Sequence, residues 1–584
     1  MRNRKNAAVF LVILLFFALL SVFLTRPILT QGDHAVVGNP YDPTHQVWTI
    51  AWDLHALSEN PLDLFDANIF YPNPYTLAYS DSQVVTAVLA APVVAATGNP
   101  VQAANMMLIF HFLMASLGGY FLVRHLTGSR FAGVIAGIAF AYAPYKIAHL
   151  THLNLLAVEW IPFALLFLHL YCEKGKTRDL ALFALFFVLE ALSAWSYAFM
   201  TALAVGLFLL VRLIVARKTY TLRWVVKLGV AVVVAGLLVL PFALPYLRVH
   251  SSEPEFERKI SEVDFYAGDA QDFLMAPAES LVWGGLTAPL RRQAAFRGSA
   301  TERAMFPGLV ALVLGIAGAV YLFRRRRWKP ENRFSFWFYI TLPIVSGVLC
   351  LGPSLHLFGR STNLPLPYRF LYYVVPGFKA LRTPARFSVL IALSLAVLAG
   401  YAVKGLTDWL RGKDGVLLSA LVGFALLTVL LLDVMTVAIP MARVPLADEF
   451  PPVYTWLEER PGDAPTVEVP LAGYRPSSAS GIDELQWLEL EPARTYYSTK
   501  HWKKLLNGFS AFIPRSYVDA ARAMESFPSR NSIHFLEGLG VEYVLVHSAE
   551  LEPGDLGRIE QWSREHGDIR RVFTSGDDYV YVLR

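Results

Sequence analysis

Ala7-Ala8-Val9-Phe10-Leu11-Val12-Ile13-Leu14-Leu15-Phe16-Phe17-Ala18-Leu19-Leu20-Ser21-Val22-Phe23-Leu24 opens an apolar run over residues 7–29 that follows the basic residues Arg2, Arg4 and Lys5. The run is long enough to cross a hydrocarbon core of about 30 Å as a helix. It is too long for a secretory h-region and has no A-x-A-like cleavage site before Thr30, so it reads as an uncleaved span. Ten further apolar runs follow, at 101–123, 131–147, 153–171, 180–195, 198–215, 224–246, 306–323, 334–351, 387–403 and 416–440, making about eleven.

Composition agrees. Hydrophobic residues make up 55% of the 584 residues and charged residues 17%, with a mean hydropathy of +0.43, which excludes a soluble protein. The 38 Gly and 35 Pro have no period and aromatics reach 13%, so collagen-like and disordered classes fail too. The net charge of +5, from 51 Lys+Arg against 46 Asp+Glu, implies no nucleic-acid partner; its meaning lies in where the basic residues sit. Cys172 and Cys350 stand alone in apolar surroundings, which is neither a disulfide framework nor a metal-ligand spacing.

The short basic connections at 124–130, 173–178, 217–223, 324–333 and 404–413 belong on the cytoplasmic side by the positive-inside rule. With the N-terminus inside, all five land there only if the moderately apolar stretch 82–97 does not span; it is assigned as a re-entrant or interfacial helix. The outside then receives a long first loop (30–99), a second (247–305), a third (352–386) and the C-terminal segment.

At about residue 443 the composition changes to dense charge. The chain therefore divides into a transmembrane domain at 1–442 and a soluble extracytoplasmic α/β domain at 443–584. Strands are expected at 466–470 and 541–546 with a hairpin at 571–574 and 579–583, and helices at 452–459, 517–525 and 556–566.

Four stretches carry candidate chemistry. The first loop holds Asp33 and then Asp42-Pro43-Thr44-His45-Gln46, running on to Trp48, Trp52, Asp53 and His55; Pro43 as a first helical residue places Asp42 at an N-cap. Aromatic residues on one face and acidic and amide groups on another suit a helix lying along a membrane surface, and Asp81 adds an acid just before the non-spanning helix. Lys146, His149, His152 and Glu159 lie at or near the ends of the third and fourth spans, where ionisable groups are costly and by default face a cavity. His149 and His152 have a chelating i, i+3 spacing, but no third ligand is identifiable, so no metal residue is assigned. Lys379, Arg382 and Arg386 are basic groups outside, where the positive-inside trend does not account for them and a lipid head group or phosphate does, the alternative being an interfacial snorkelling pair. Tyr497, Lys500, His501 and Asn507 form an aromatic and amide cluster suited to sugar rings, or equally a core strand and turn with a basic edge.

A long first loop with an early aspartate, an interfacial helix, about eleven spans and a soluble C-terminal domain together resemble the GT-C fold membrane glycosyltransferases. The architecture is similar to that of protein O-mannosyltransferases, oligosaccharyltransferases and the lipid A aminoarabinose transferase. The strings around Asn68-Ile69-Phe70-Tyr71-Pro72, Ala148-His149-Leu150-Thr151-His152, Leu381-Arg382-Thr383-Pro384-Ala385-Arg386 and Ser498-Thr499-Lys500-His501-Trp502 look most like uncharacterised bacterial members. The family's paired-acid DxD in the first loop is missing, with acids at Asp33 and Asp42 instead.

The resemblance implies an inverting hexosyl or pentosyl transferase. It would move a sugar from a polyprenyl-phosphate-linked donor to a glycan, lipid or protein acceptor on the extracytoplasmic face, in a bacterial inner (plasma) membrane during cell-envelope glycosylation. Asp42 would be the general base, with Asp33 the alternative. Arg382, Arg386 and Lys379 would hold the lipid phosphate. His45, Gln46, Asp81, Lys146, His149, His152 and Glu159 would line the pocket with Tyr497, Lys500, His501 and Asn507. A divalent cation, magnesium or manganese, is compatible with such a site but not required by it. Two other readings stay open: a non-catalytic lipid-glycan binder, and a flippase or transporter. No internal repeat is visible, and the polar residues gather at helix ends rather than midplane, unlike common transporter folds.

Overall fold

The structure is a computed structural model that describes residues 2–215, 221–253, 256–293, 299–325, 330–413, 415–437, 439–478 and 480–584. Part of the 217–223 connection and Arg326 and Arg327 of the 324–333 connection lie outside the described residues.

The chain is a polytopic helical membrane protein. Among the described residues, nine helices have the length and apolar composition of membrane spans, from Asn6–Leu24 to Gly415–Val434. The two remaining expected spans, at 180–195 and 306–323, are the helices Thr177–Ser193 and Leu309–Arg325. Each has 17 residues, the short end of the roughly 17–25 that cross a bilayer. The stretch 82–97 is the helix Val84–Thr97, whose 14 residues rise about 21 Å and fall short of a span. The first span ends at Leu24 rather than at residue 29, because Pro27 starts a separate short helix, Pro27–Gln31.

Eight strands occur among the described residues: β1 (Ala35–Val37), β2 (Ser354–Leu357), β3 (Arg360–Pro365), β4 (Met441–Arg443), β5 (Thr466–Val469), β6 (Tyr543–His547), β7 (Ile569–Ser575) and β8 (Asp578–Leu583). β1 pairs with β4, and β2 with β3 as a hairpin. The other four form one sheet in the order β5-β6-β8-β7, with β5 and β6 parallel and the rest antiparallel.

Two compact units result, and neither is continuous in sequence. One comprises Met1–Thr30, Met106–Pro241 and Glu257–Pro440 and holds most of the spans. Its helices approach closely at small residues, as helices in lipid do. A Cβ on Gly137 would meet the Phe17 ring and the Ser116 carbonyl, and one on Gly318 would strike the Leu398 carbonyl.

The other unit comprises Gln31–Asn105, Phe242–Phe256 and Met441–Arg584, so the first loop folds with the C-terminal segment. Backbone hydrogen bonds tie the two: Phe70 N–H to the Asn507 carbonyl (2.9 Å), Tyr71 N–H to Leu505 (2.9 Å) and Leu505 N–H to Asn68 (2.7 Å). Gly508 permits this approach, since a Cβ there would lie 3.0 Å from Ile69 Cβ and from the Phe70 ring. The aromatic core of the unit runs through Trp48, Phe70, Tyr79, Trp487, Phe509 and Tyr517.

Candidate functional site

In the first loop, the helix Tyr41–Glu59 begins with Pro40 as its N-cap, so Asp42 lies in the first turn rather than at the cap. Asp42 is exposed. A carboxylate there is favoured by the helix dipole. The rest of the helix is fixed by aromatic packing. Trp48 Nε1 donates to Asn68 Oδ1 (3.3 Å), Trp52 Nε1 to the Leu64 carbonyl (2.8 Å), and His45 stacks on Trp48 with ring centroids 5.5 Å apart. His45 Nε2 meets Ser80 Oγ at 3.2 Å, and burial pushes the imidazole down to about 4 although Asp42 opposes this. His45 is therefore a neutral ring at physiological pH.

Gln46 Oε1 accepts from Gln83 Nε2 (2.6 Å), which joins this helix to Val84–Thr97. Asp53, two turns on, is fully buried. Among the described residues neither of its oxygens finds a hydrogen-bond partner of good geometry. Burial, opposed by the Gln83 backbone amide, holds its carboxyl well above the usual range. Asp33 is exposed beside His34, 2.6 Å away, and Asp81 is half-buried.

Elsewhere in this unit, the cluster expected to bind sugar is largely committed to internal contacts. Asn507 is fully buried; its amide donates to the Glu468 carbonyl (3.0 Å) and Glu491 Oε1 (2.9 Å), and its Oδ1 accepts from the Glu468 N–H (2.7 Å). Lys500 pairs with Glu458 at 3.1 Å, and Tyr497 packs against the rings of Phe450 and Tyr454. Burial pushes His501 down to about 4, and its Nδ1 accepts from the Lys503 N–H (3.0 Å).

A buried charge network adjoins Asn507. Glu468 bonds His547 Nε2 (2.9 Å) and Tyr454 (2.7 Å), and His547 Nδ1 lies 2.8 Å from Asp578. Arg494 pairs with Glu491 (3.3 Å) and Glu550.

In the span-bearing unit, Glu302 brings two expected residues together. Arg386 Nε donates to Glu302 Oε2 (3.0 Å) and its Nη2 to Oε1, while His149 Nε2 lies 3.3 Å from Oε2. Burial acts to raise the Glu302 carboxyl, but Arg386 and His149 outweigh it and hold the group well below the usual range. The rings of His149 and His152 are 5.9 Å apart. Deeper among the helices, His111 links the other pair: its Nδ1 is 2.7 Å from Glu159 Oε1, and its carbonyl accepts from Lys146 Nζ at 3.4 Å. Lys146 also lies 4.7 Å from the Phe112 ring centroid.

Lys379 and Arg382 are half-exposed and each has an acidic neighbour, Glu257 at 3.0 Å and Glu262 at 3.2 Å; Arg382 also lies over the Tyr266 ring. Among the described residues no three His, Cys, Asp or Glu side chains gather as metal ligands would. Sequence reasoning missed Glu302, Glu262, Glu257, Glu491 and His111. The acidic partners of the three basic groups lie 84, 120 and 122 residues away in sequence, and no spacing signal reaches that far.

The helical spans, loop-borne helix and sheet-bearing domain are those of the GT-C fold of membrane glycosyltransferases, as structural comparison shows. The arabinofuranosyltransferase AftD from Mycobacteria superposes with a TM-score of 0.58 at 15% identity, over 98% of this chain and 40% of that one. The oligosaccharyltransferase from Archaeoglobus fulgidus in complex with Zn and sulfate gives 0.50 at 16% identity, over 97% and 72%. ArnT from Cupriavidus metallidurans bound to undecaprenyl phosphate gives 0.45 at 12% identity, over 99% and 98%. The chain thus spans about two fifths of the length of AftD. No curated protein matches it in sequence. The chain belongs to the family described as "Domain of unknown function (DUF6311)", whose model matches residues 5–435.

Proposed function

We propose that the protein is an inverting glycosyltransferase of the extracytoplasmic face of a bacterial inner membrane, taking its sugar from a polyprenyl-phosphate-linked donor. The observation that carries this reading is the exposed Asp42 carboxylate on the first turn of a helix immobilised by aromatic packing, within a GT-C fold. Asp42 takes the proton of an acceptor hydroxyl as that oxygen attacks the anomeric carbon, and the bond from the anomeric carbon to the lipid phosphate breaks. The departing phosphate carries charge that cations stabilise. Lys379 and Arg382, which are half-exposed, suit that task better than Arg386, which is more deeply buried against Glu302.

Lys146, His149, His152 and Glu159 are assigned to the donor's surroundings, and Asp33 is the alternative base. The reading requires neither magnesium nor manganese.

A second reading, a scaffold or flippase that binds lipid-linked glycans without turnover, is favoured by one observation: the first loop has separate acids at Asp33 and Asp42 in place of a paired-acid DxD. Turnover of a panel of radiolabelled polyprenyl-phosphate sugars by the purified protein, with and without chelator, separates the two. Loss of turnover in Asp42→Asn with binding retained supports the transferase and names its base; loss in Asp33→Asn instead moves the role there. Tight binding with no turnover by the unaltered protein establishes the second reading.

A further inference from the structure

The third loop joins the helices Pro330–Cys350 and Ser388–Lys413 and contains the β2–β3 hairpin and the helix Pro367–Val374. That helix is held on one face. Tyr368 and Tyr372 are buried, the Tyr372 hydroxyl donates to the Arg258 carbonyl (2.7 Å), and Tyr368 packs edge-on to Phe378. The other face is open: Phe370 is 66% exposed, Tyr373 63% and Val374 58%.

The hairpin is similar, with Leu364 54% exposed and Phe358 51% at its tip. Phe358 and Gly359 have φ of +50° and +75°. A two-residue turn with both residues in that region ordinarily takes Asn-Gly, and a bulky side chain there is strained. Buried groups hold the strained tip in place: Phe358 N–H donates to Gln271 Oε1 (2.9 Å), and Gly359 N–H donates to the fully buried Asp269. The fold thus keeps an apolar ring projecting where a polar turn would be cheaper.

We infer that this hairpin and helix form a surface that inserts into an anionic phospholipid leaflet, with Phe358, Leu364, Phe370 and Tyr373 at the headgroup and acyl boundary. Three observations identify lipid as the occupant. Both flanking helices are membrane spans that end on this side, within fifteen residues of the surface. The helix Pro367–Val374 packs on Pro330–Cys350, whose own Ile344 and Val345 are exposed as lipid-facing side chains are, so the apolar surface continues that of the spans. Exposed Arg360 and Arg369 interleave with the apolar groups, the pairing that anionic headgroups and acyl chains require together.

The test uses the full chain in nanodiscs of phosphatidylcholine and phosphatidylglycerol, with Cys172→Ala and Cys350→Ala removing both native thiols. An environment-sensitive fluorophore is placed at Phe370→Cys, at Phe358→Cys as a second reporter, and at Glu565→Cys as a solvent reference. Doxyl lipids are expected to quench the probe at 370 about threefold or more over the reference, with Arg360→Gln/Arg369→Gln lowering the effect. Quenching equal to the reference at both reporter positions overturns the inference. So does blue-shifted emission that lipid quenchers do not reach, which would mean that protein covers the surface.

Discussion

Glu302 and Arg386 form a two-point ion pair between the second and third loops, and His149 shares the same carboxylate. An arginine held this way is a fixed part of the scaffold. Removing one partner leaves a buried charge without compensation, at a cost of about 3–5 kcal/mol. Glu302→Gln should therefore lower the thermal unfolding temperature in detergent by many degrees, and Arg386→Lys should lower it too by losing the fork. Unchanged melting in both variants would show that the pair is slack and that Arg386 is free for phosphate.

Asn507 predicts a different signature from a sugar-binding residue. Its side chain satisfies the backbone of Glu468 and the carboxylate of Glu491, with no exposed surface. Asn507→Ala should cost about 3 kcal/mol, from several buried groups each worth about 1–3 kcal/mol when left unpaired. The loss belongs in melting temperature, while any variant that still folds keeps its KM for acceptor; a raised KM at unchanged melting would restore the binding role.

His547 makes stability depend on pH. Burial acts to lower its pKa, but Asp578 and Glu468 together raise it to about 9. A raised folded-state value means the stabilisation is complete below the unfolded value of about 6.5 and fades as pH rises through 9. Glu468 has the opposite sense: its folded pKa is lowered, so its contribution is present above about 4.5 and lost as pH falls. Melting temperature should plateau between about 4.5 and 6.5 and decline from there toward pH 9. His547→Gln should flatten the alkaline limb, and an unaltered limb would refute the assignment.

Close packing supplies a fourth expectation. A methyl at Gly508 would press on Ile69 and Phe70, and one at Gly318 on the Leu398 carbonyl. Each alanine variant should lose about 1–3 kcal/mol by overpacking. Gly508→Ala should also make the first loop more susceptible to limited proteolysis, whereas Gly318→Ala should not.

Composition and period carried much of the architecture. Most expected spans, such as 101–123 and 198–215, fall on one helix, here Pro100–Thr127 and Trp195–Val215, because twenty apolar residues admit few other outcomes in lipid. By contrast, 131–147 and 153–171 are each broken, into Arg130–Ala141 with Pro144–Ala148 and Leu153–Leu156 with Trp160–Lys174, and the helix at 416–440 ends at Val434. The alternating strands at 466–470 and 541–546 were equally legible, as β5 and β6. The helix Glu484–Tyr497 was not, because Pro492 in its interior reads as a breaker and tertiary packing overrides it. The candidate site was legible as residue types and not as partnerships. Arg386, Arg382 and Lys379 announce themselves as cations in a loop, yet the carboxylates that neutralise them come from segments with no sequence relation to them.

The backbone pairing of residues 68–71 with 505–507 sets an order of assembly. The ribosome finishes the first loop early and then threads every span before it reaches Asn507. Until then the segment following the Asp42 helix lacks the strand-like partner that completes its hydrogen bonds. A truncated or stalled chain therefore inserts with its candidate base on an unfinished loop, and competence arrives only when synthesis is nearly complete.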